Sequence, residues 1–80
     1  MLYDIEVQAT DWCGYTSDYH VIADSKEEAT EKATQLFIDE WDIVEYEDGM
    51  YGEFEDFDDE GEPLEEDSLT SISIDSIVEL

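Results

Sequence analysis

Residues 19–41, YHVIADSKEEATEKATQLFIDEW, decide the fold, because two periodicities meet within them. Tyr19, Val21 and Ala23 alternate with His20, Ile22 and Asp24, the period-two signature of a strand. Ser25 follows, with Glu28 three residues on, the spacing of a capping box. In that motif the serine oxygen accepts an orphan amide of the first turn and the glutamate reaches back to the serine amide. Ala29, Ala33, Leu36, Phe37 and Trp41 then recur at helical spacing, with Glu27, Glu31, Gln35 and Asp39 opposite. The pattern predicts an amphipathic helix over 26–40, with Glu28 and Lys32 paired at i, i+4 for a few tenths of a kcal/mol. Acids at the helix start suit its dipole, but Asp39 and Glu40 near the end oppose it. Stability alone would favour lysine there, so negative charge is itself wanted.

Upstream, Tyr3, Ile5, Val7 and Ala9 alternate with Asp4, Glu6 and Gln8, giving a first strand over 3–9. A polar stretch around Asp11 to Asp18, containing Gly14, turns the chain into the second strand, antiparallel to the first. Downstream, Ile43–Tyr46 and Met50–Phe54 flank Asp48-Gly49, a tight hairpin signal. Residues 55–68 are almost solidly acidic and predict a loop, and Leu69–Val78 closes the chain as a strand. The order ββαβββ predicts a single α+β domain over 1–80, with an antiparallel sheet of four to five strands and one amphipathic helix packed on one face. The expected core is Ile5, Val7, Val21, Ala29, Ala33, Leu36, Phe37, Ile72 and Ile74.

The charge is extreme. Asp and Glu number 26 against 2 Lys and no Arg, a formal net charge of -24 on 80 residues. Duplex DNA carries one phosphate charge per ~1.7 Å of axis, so this equals about a dozen base pairs. Such charge destabilises a compact chain by self-repulsion. Disorder would follow if apolar residues were scarce, but hydrophobic residues make up 41% of the chain and aromatics 12%. A folded domain with an acidic coat is expected. Nucleic acids and anionic membranes would repel it, so direct nucleic-acid binding and membrane association are not expected. The lone Cys13 can form no internal disulfide, which fits a reducing, cytoplasmic setting. The opening MLYDIEVQAT has no basic region followed by an apolar run, so no signal peptide is expected.

Among local motifs, 56–67 places Asp56, Asp58, Glu60, Gly61 and Asp67 at positions one, three, five, six and twelve of a calcium loop. Pro63 at position eight, the short Asp67 at twelve and the absence of flanking helices favour a solvated acidic loop instead. His20 has no second histidine near it, and Cys13 has no basic neighbour to activate it. No phosphate-cradling glycine loop and no arginine clamp is present, so no catalysis and no cofactor are expected.

The segments IEVQAT and HVIADSKEEATEKATQLF resemble small phage- and plasmid-borne domains of the DpnD/PcfM-like family, over about residues 3–40. The resemblance implies the strand–strand–helix–strand arrangement and an origin on a mobile element, and carries no functional residues. In charge, size and lack of catalytic groups the whole chain is similar to the DNA-mimic inhibitors made by phages, of anti-CRISPR and anti-restriction type. That resemblance implies an inhibitor that occupies the basic surface of a host defence nucleoprotein complex, a CRISPR-Cas effector foremost, as a monomer or homodimer in the host cytoplasm. The expected contact acids are Asp42, Glu45, Glu47, Asp48, Glu53, Glu55, Asp56, Asp58, Asp59, Glu60, Glu62, Glu65, Glu66 and Asp67, with Tyr51 or Phe57 as aromatic anchors. Two alternatives stand beside it: halophilic adaptation, since molar salt shrinks the Debye length to about 3 Å, and a calcium-dependent module built on Asp56–Asp67.

Overall fold

The computed structural model describes residues 1–80, with the side chain of Glu66 outside the described set. The chain is α+β, in the order β1 (Leu2–Ala9), β2 (Thr16–Ile22), α1 (Lys26–Glu40), β3 (Ile43–Glu47), β4 (Met50–Glu53) and β5 (Ile72–Glu79). All strand pairing is antiparallel, but the five strands divide between two sheets: β1 lies between β2 and β5, and β3 pairs with β4 alone. A backbone bridge joins them, Tyr51 and Thr70 exchanging both N–H···O bonds at 2.8 Å.

Alternation along β1 sets the layers. Tyr3, Ile5, Val7 and Ala9 are buried, and α1 covers them with Ala29, Ala33 and Phe37, each fully buried. Two alanines in one row let the helix backbone approach the sheet, and Phe37 fills the space beyond them. Leu36 departs from the expected core: it is 43% exposed. The flank that closes is the opposite one, where Ile38 and Trp41 pack against the core together with Tyr51 from the hairpin. With β3–β4 covering that side, the helix turns Leu36 to solvent.

On β5 the register against β1 shifts between Glu6 and Val7, leaving Asp75 as the extra residue of a bulge. Ile72 and Ile74 face inward as expected, half-buried on an edge strand, and the bulge brings Ile77 inward after them. Val78 is thereby turned out, 52% exposed.

The helix begins as its sequence indicates, with one change. The Ser25 side chain accepts from the Glu28 amide at 3.2 Å, while Glu28 Oε2 accepts from the Asp24 amide at 2.6 Å, one residue before the expected serine amide. Glu28 also sits 3.7 Å from Lys32, whose Nζ donates to the Ile22 carbonyl. Both contacts hold the Glu28 carboxyl below the usual carboxylate range, the Asp24 amide contributing most. At the far end, Trp41 donates its amide to Phe37 and Asp42 adopts φ 52°, a left-handed position usually given to glycine or asparagine. In the hairpin only Gly49 has positive φ, 85°, and the register shift between Glu45 and Glu47 absorbs the turn.

The β1–β2 loop is anchored by aromatic packing. Trp12 meets Tyr15 edge-on at 5.1 Å between ring centroids, Tyr15 lies 4.6 Å from Trp41, and Trp41 lies 6.3 Å from Phe37. Trp12 Nε1 donates to the Ser68 carbonyl at 2.9 Å, tying the end of the acidic loop to the sheet. Among the described residues no helix is long and apolar enough to cross a membrane.

Candidate acidic interaction surface

Charge is distributed unevenly along the folded chain. Lys26 and Lys32 both lie in the first half of α1, and no basic side chain follows Lys32 in sequence. The end of α1, the β3–β4 hairpin and the loop from Phe54 onward are therefore acidic without local compensation. These segments meet at Phe54, whose amide donates to the Asp42 carbonyl at 2.9 Å.

Of the acids singled out in sequence, Asp42, Glu45, Glu47, Asp48, Glu55, Asp58, Asp59, Glu60, Glu62, Glu65 and Asp67 are exposed. Glu66 has its side chain outside the described residues. Glu53 and Asp56 are half-buried and bear on the fold. Glu53 accepts a short hydrogen bond from the Tyr15 hydroxyl, and this bond, more than burial, pushes the phenol pKa up. The Asp56 carbonyl accepts from Leu64 at 2.7 Å and closes the loop. Asp58 is exposed but turned onto its own backbone, Oδ1 accepting from the amides of Glu60 at 2.9 Å and Glu62 at 3.0 Å. That Asx-type closure, with Gly61 at φ 82°, shapes the loop. Among the described residues no three acidic, histidine or cysteine side chains converge to hold a metal ion, so Asp56, Asp58, Glu60 and Asp67 are not gathered around a common point.

The aromatic anchors are arranged differently from expectation. Tyr51 is half-buried against the core, and Phe57 lies over Gly52 with its ring 6.1 Å from Tyr46. A Cβ on Gly52 would stand 2.8 Å from the Phe57 ring, so the glycine is the notch that seats the acidic loop on β4. The exposed aromatic is Phe54, at 70%. It was legible only indirectly, through the flanking Glu53 and Glu55. What turns it outward is the 3₁₀ turn Phe54–Asp56, which ends the strand alternation one residue early. Three solvent-open hollows share Phe54 as a wall. One, of about 470 Å³, lies between the α1 end and β3 and is bounded by Ile38, Asp39, Asp42, Ile43 and Val44.

At the end of α1, Glu40 is held by Ser17 at 2.5 Å and Tyr19 at 3.0 Å, and these hydroxyls keep its carboxyl below the usual range. A separate acidic group lies on the open face of the three-stranded sheet. Glu6 opposes Asp18 across β1–β2 and lies beside the Asp75 bulge. A carboxyl–carboxylate hydrogen bond to Asp75, then desolvation, then the charges of Asp75 and Asp18 push Glu6 up to about 7. His20 opposes Asp4 on that face, 3.7 Å away, and Cys13 is exposed in the β1–β2 loop.

No family model matches the chain, and no match was found among curated proteins or solved structures.

Proposed function

We propose that this protein is a nucleic-acid mimic that inhibits a host defence nucleoprotein complex, foremost a CRISPR effector, by occupying its basic nucleic-acid-binding surface. The observation that carries this is the uncompensated acidic end, where exposed carboxylates of the α1 terminus, the hairpin and the 55–67 loop sit on a folded frame. Carboxylates on a fixed frame can meet Lys and Arg placed for phosphates through charge-assisted hydrogen bonds. Opposite charge also steers association and makes it fall with salt. No catalytic step is part of this proposal.

The test is competition between this protein and nucleic acid for a purified effector, at two salt concentrations, with two charge-reversal variants. Glu47/Asp48→Lys and Glu55/Asp59/Glu60→Lys avoid Glu45, Glu53 and Asp58, whose carboxylates bond the Tyr51 and Tyr15 hydroxyls and the loop amides. Each relieves like-charge repulsion, so it is expected to melt no lower than the native protein and to lose competition. Unchanged affinity in both variants at ordinary salt would overturn the proposal and leave solvent adaptation as the explanation of the charge.

A further inference from the structure

We infer that the groove beside Phe54 seats an arginine side chain of the basic partner, its guanidinium lying on the exposed ring and reaching the carboxylates of Asp39 and Asp42. The inference deepens the proposed function and rests on it, since it names the partner chemistry that the acidic end selects.

Four observations converge. Phe54 presents 70% of its surface, yet its amide is fixed to the Asp42 carbonyl, so the ring is displayed from an ordered backbone. The groove floor is apolar, from Ile38, Ile43 and Val44, and suits the aliphatic stem of a long basic side chain. Its rim carries Asp39 and Asp42 with no basic side chain of this chain nearby in sequence. The carboxy-terminal end of α1 opens beside it, adding the negative end of the helix dipole. A guanidinium uses all four, because it is planar, stacks on aromatic faces and presents several donors, while a lysine ammonium acts as a strongly hydrated point charge. Both cations feel the charge; the ring prefers arginine.

Hexa-arginine and hexa-lysine peptides, titrated at ordinary salt and followed by NMR, test this directly. Hexa-arginine is expected to bind about two- to fivefold more tightly, the range of an exposed cation–π contact, and to shift the Phe54 ring resonances. Phe54→Ala should cut the preference to what guanidinium–carboxylate bonding alone supplies, and Phe54→Trp should keep it whole. A preference undiminished by Phe54→Ala, or Phe54 resonances unmoved at saturation with hexa-arginine, would overturn the inference. The resonance test needs only the native protein and decides the matter even if a variant fails to fold. Equal binding of both peptides by the native protein removes the arginine seat and leaves the acidic interface standing. Binding of neither removes both.

Discussion

Glu6 shows how a single carboxyl can set the pH response of a fold this acidic. Its folded pKa of about 7 lies above the value of about 4.3 for an unperturbed glutamate, so the folded state holds the proton more tightly than the unfolded chain. The stability it contributes is fully present below the unfolded value and is lost as pH rises through about 7. Glu28 and Glu40 act in the opposite sense at lower pH, since their lowered pKa values remove stability as pH falls below the usual carboxylate range. Thermal melts should therefore show stability rising from pH 8 to about 5 and falling below 4, with Glu6→Gln flattening the upper limb. A melting temperature that drops steadily from pH 7 to 5 would contradict this. Asp42 is a second residue-scale cost, a charged non-glycine in the left-handed region just after the helix. Asp42→Gly should raise stability by about 0.5–1 kcal/mol in urea unfolding, while weakening any partner that uses its charge.

Among the elements, α1 was legible to its boundaries, because the serine cap, the acidic first turn and the helical spacing agree. Which side of it is buried was legible only in part. Ala29, Ala33 and Phe37 are common to expectation and structure, but Leu36 is not, because helical spacing is equally satisfied by an arc turned one residue either way. The hairpin packed beyond Ile38 makes that choice, and its position is a tertiary fact no local pattern encodes. Urea unfolding should accordingly show a loss of about 3–5 kcal/mol for Phe37→Ala and about 1 kcal/mol or less for Leu36→Ala. Comparable losses at both positions would mean the helix is rotated from its position here. The last strand shows the same limit. Its alternation was readable, yet the bulge at Asp75, which exchanges the faces of Ile77 and Val78, left no mark in the residue types. In the acidic loop the residue types offer a solvated loop or a calcium register, and the charge masks what Asp58, Gly61 and the Phe57–Gly52 seat do for its shape.

At the scale of the whole molecule, the chain extends 41 × 22 × 18 Å, and like charges are spread along a body longer than the ~8 Å screening length of physiological salt. Added salt should raise the melting temperature while lowering affinity for a basic partner, two opposite trends from one cause. A protein adapted to a saline cytoplasm would instead remain unfolded at ~0.15 M salt, where the Debye length is still about 8 Å. The acidic character of the surface was plain from composition; its convergence on Phe54 required the fold. The aromatic anchor of the β1–β2 loop has a practical consequence. The chain's 2 tryptophans, Trp12 and Trp41, flank a single tyrosine at the joint between sheet, helix end and acidic loop. Intrinsic fluorescence therefore reports on that joint, and both emitters read one place. Release of the loop from Trp12, or docking near the helix terminus beside Trp41, should alter the emission of the unlabelled protein.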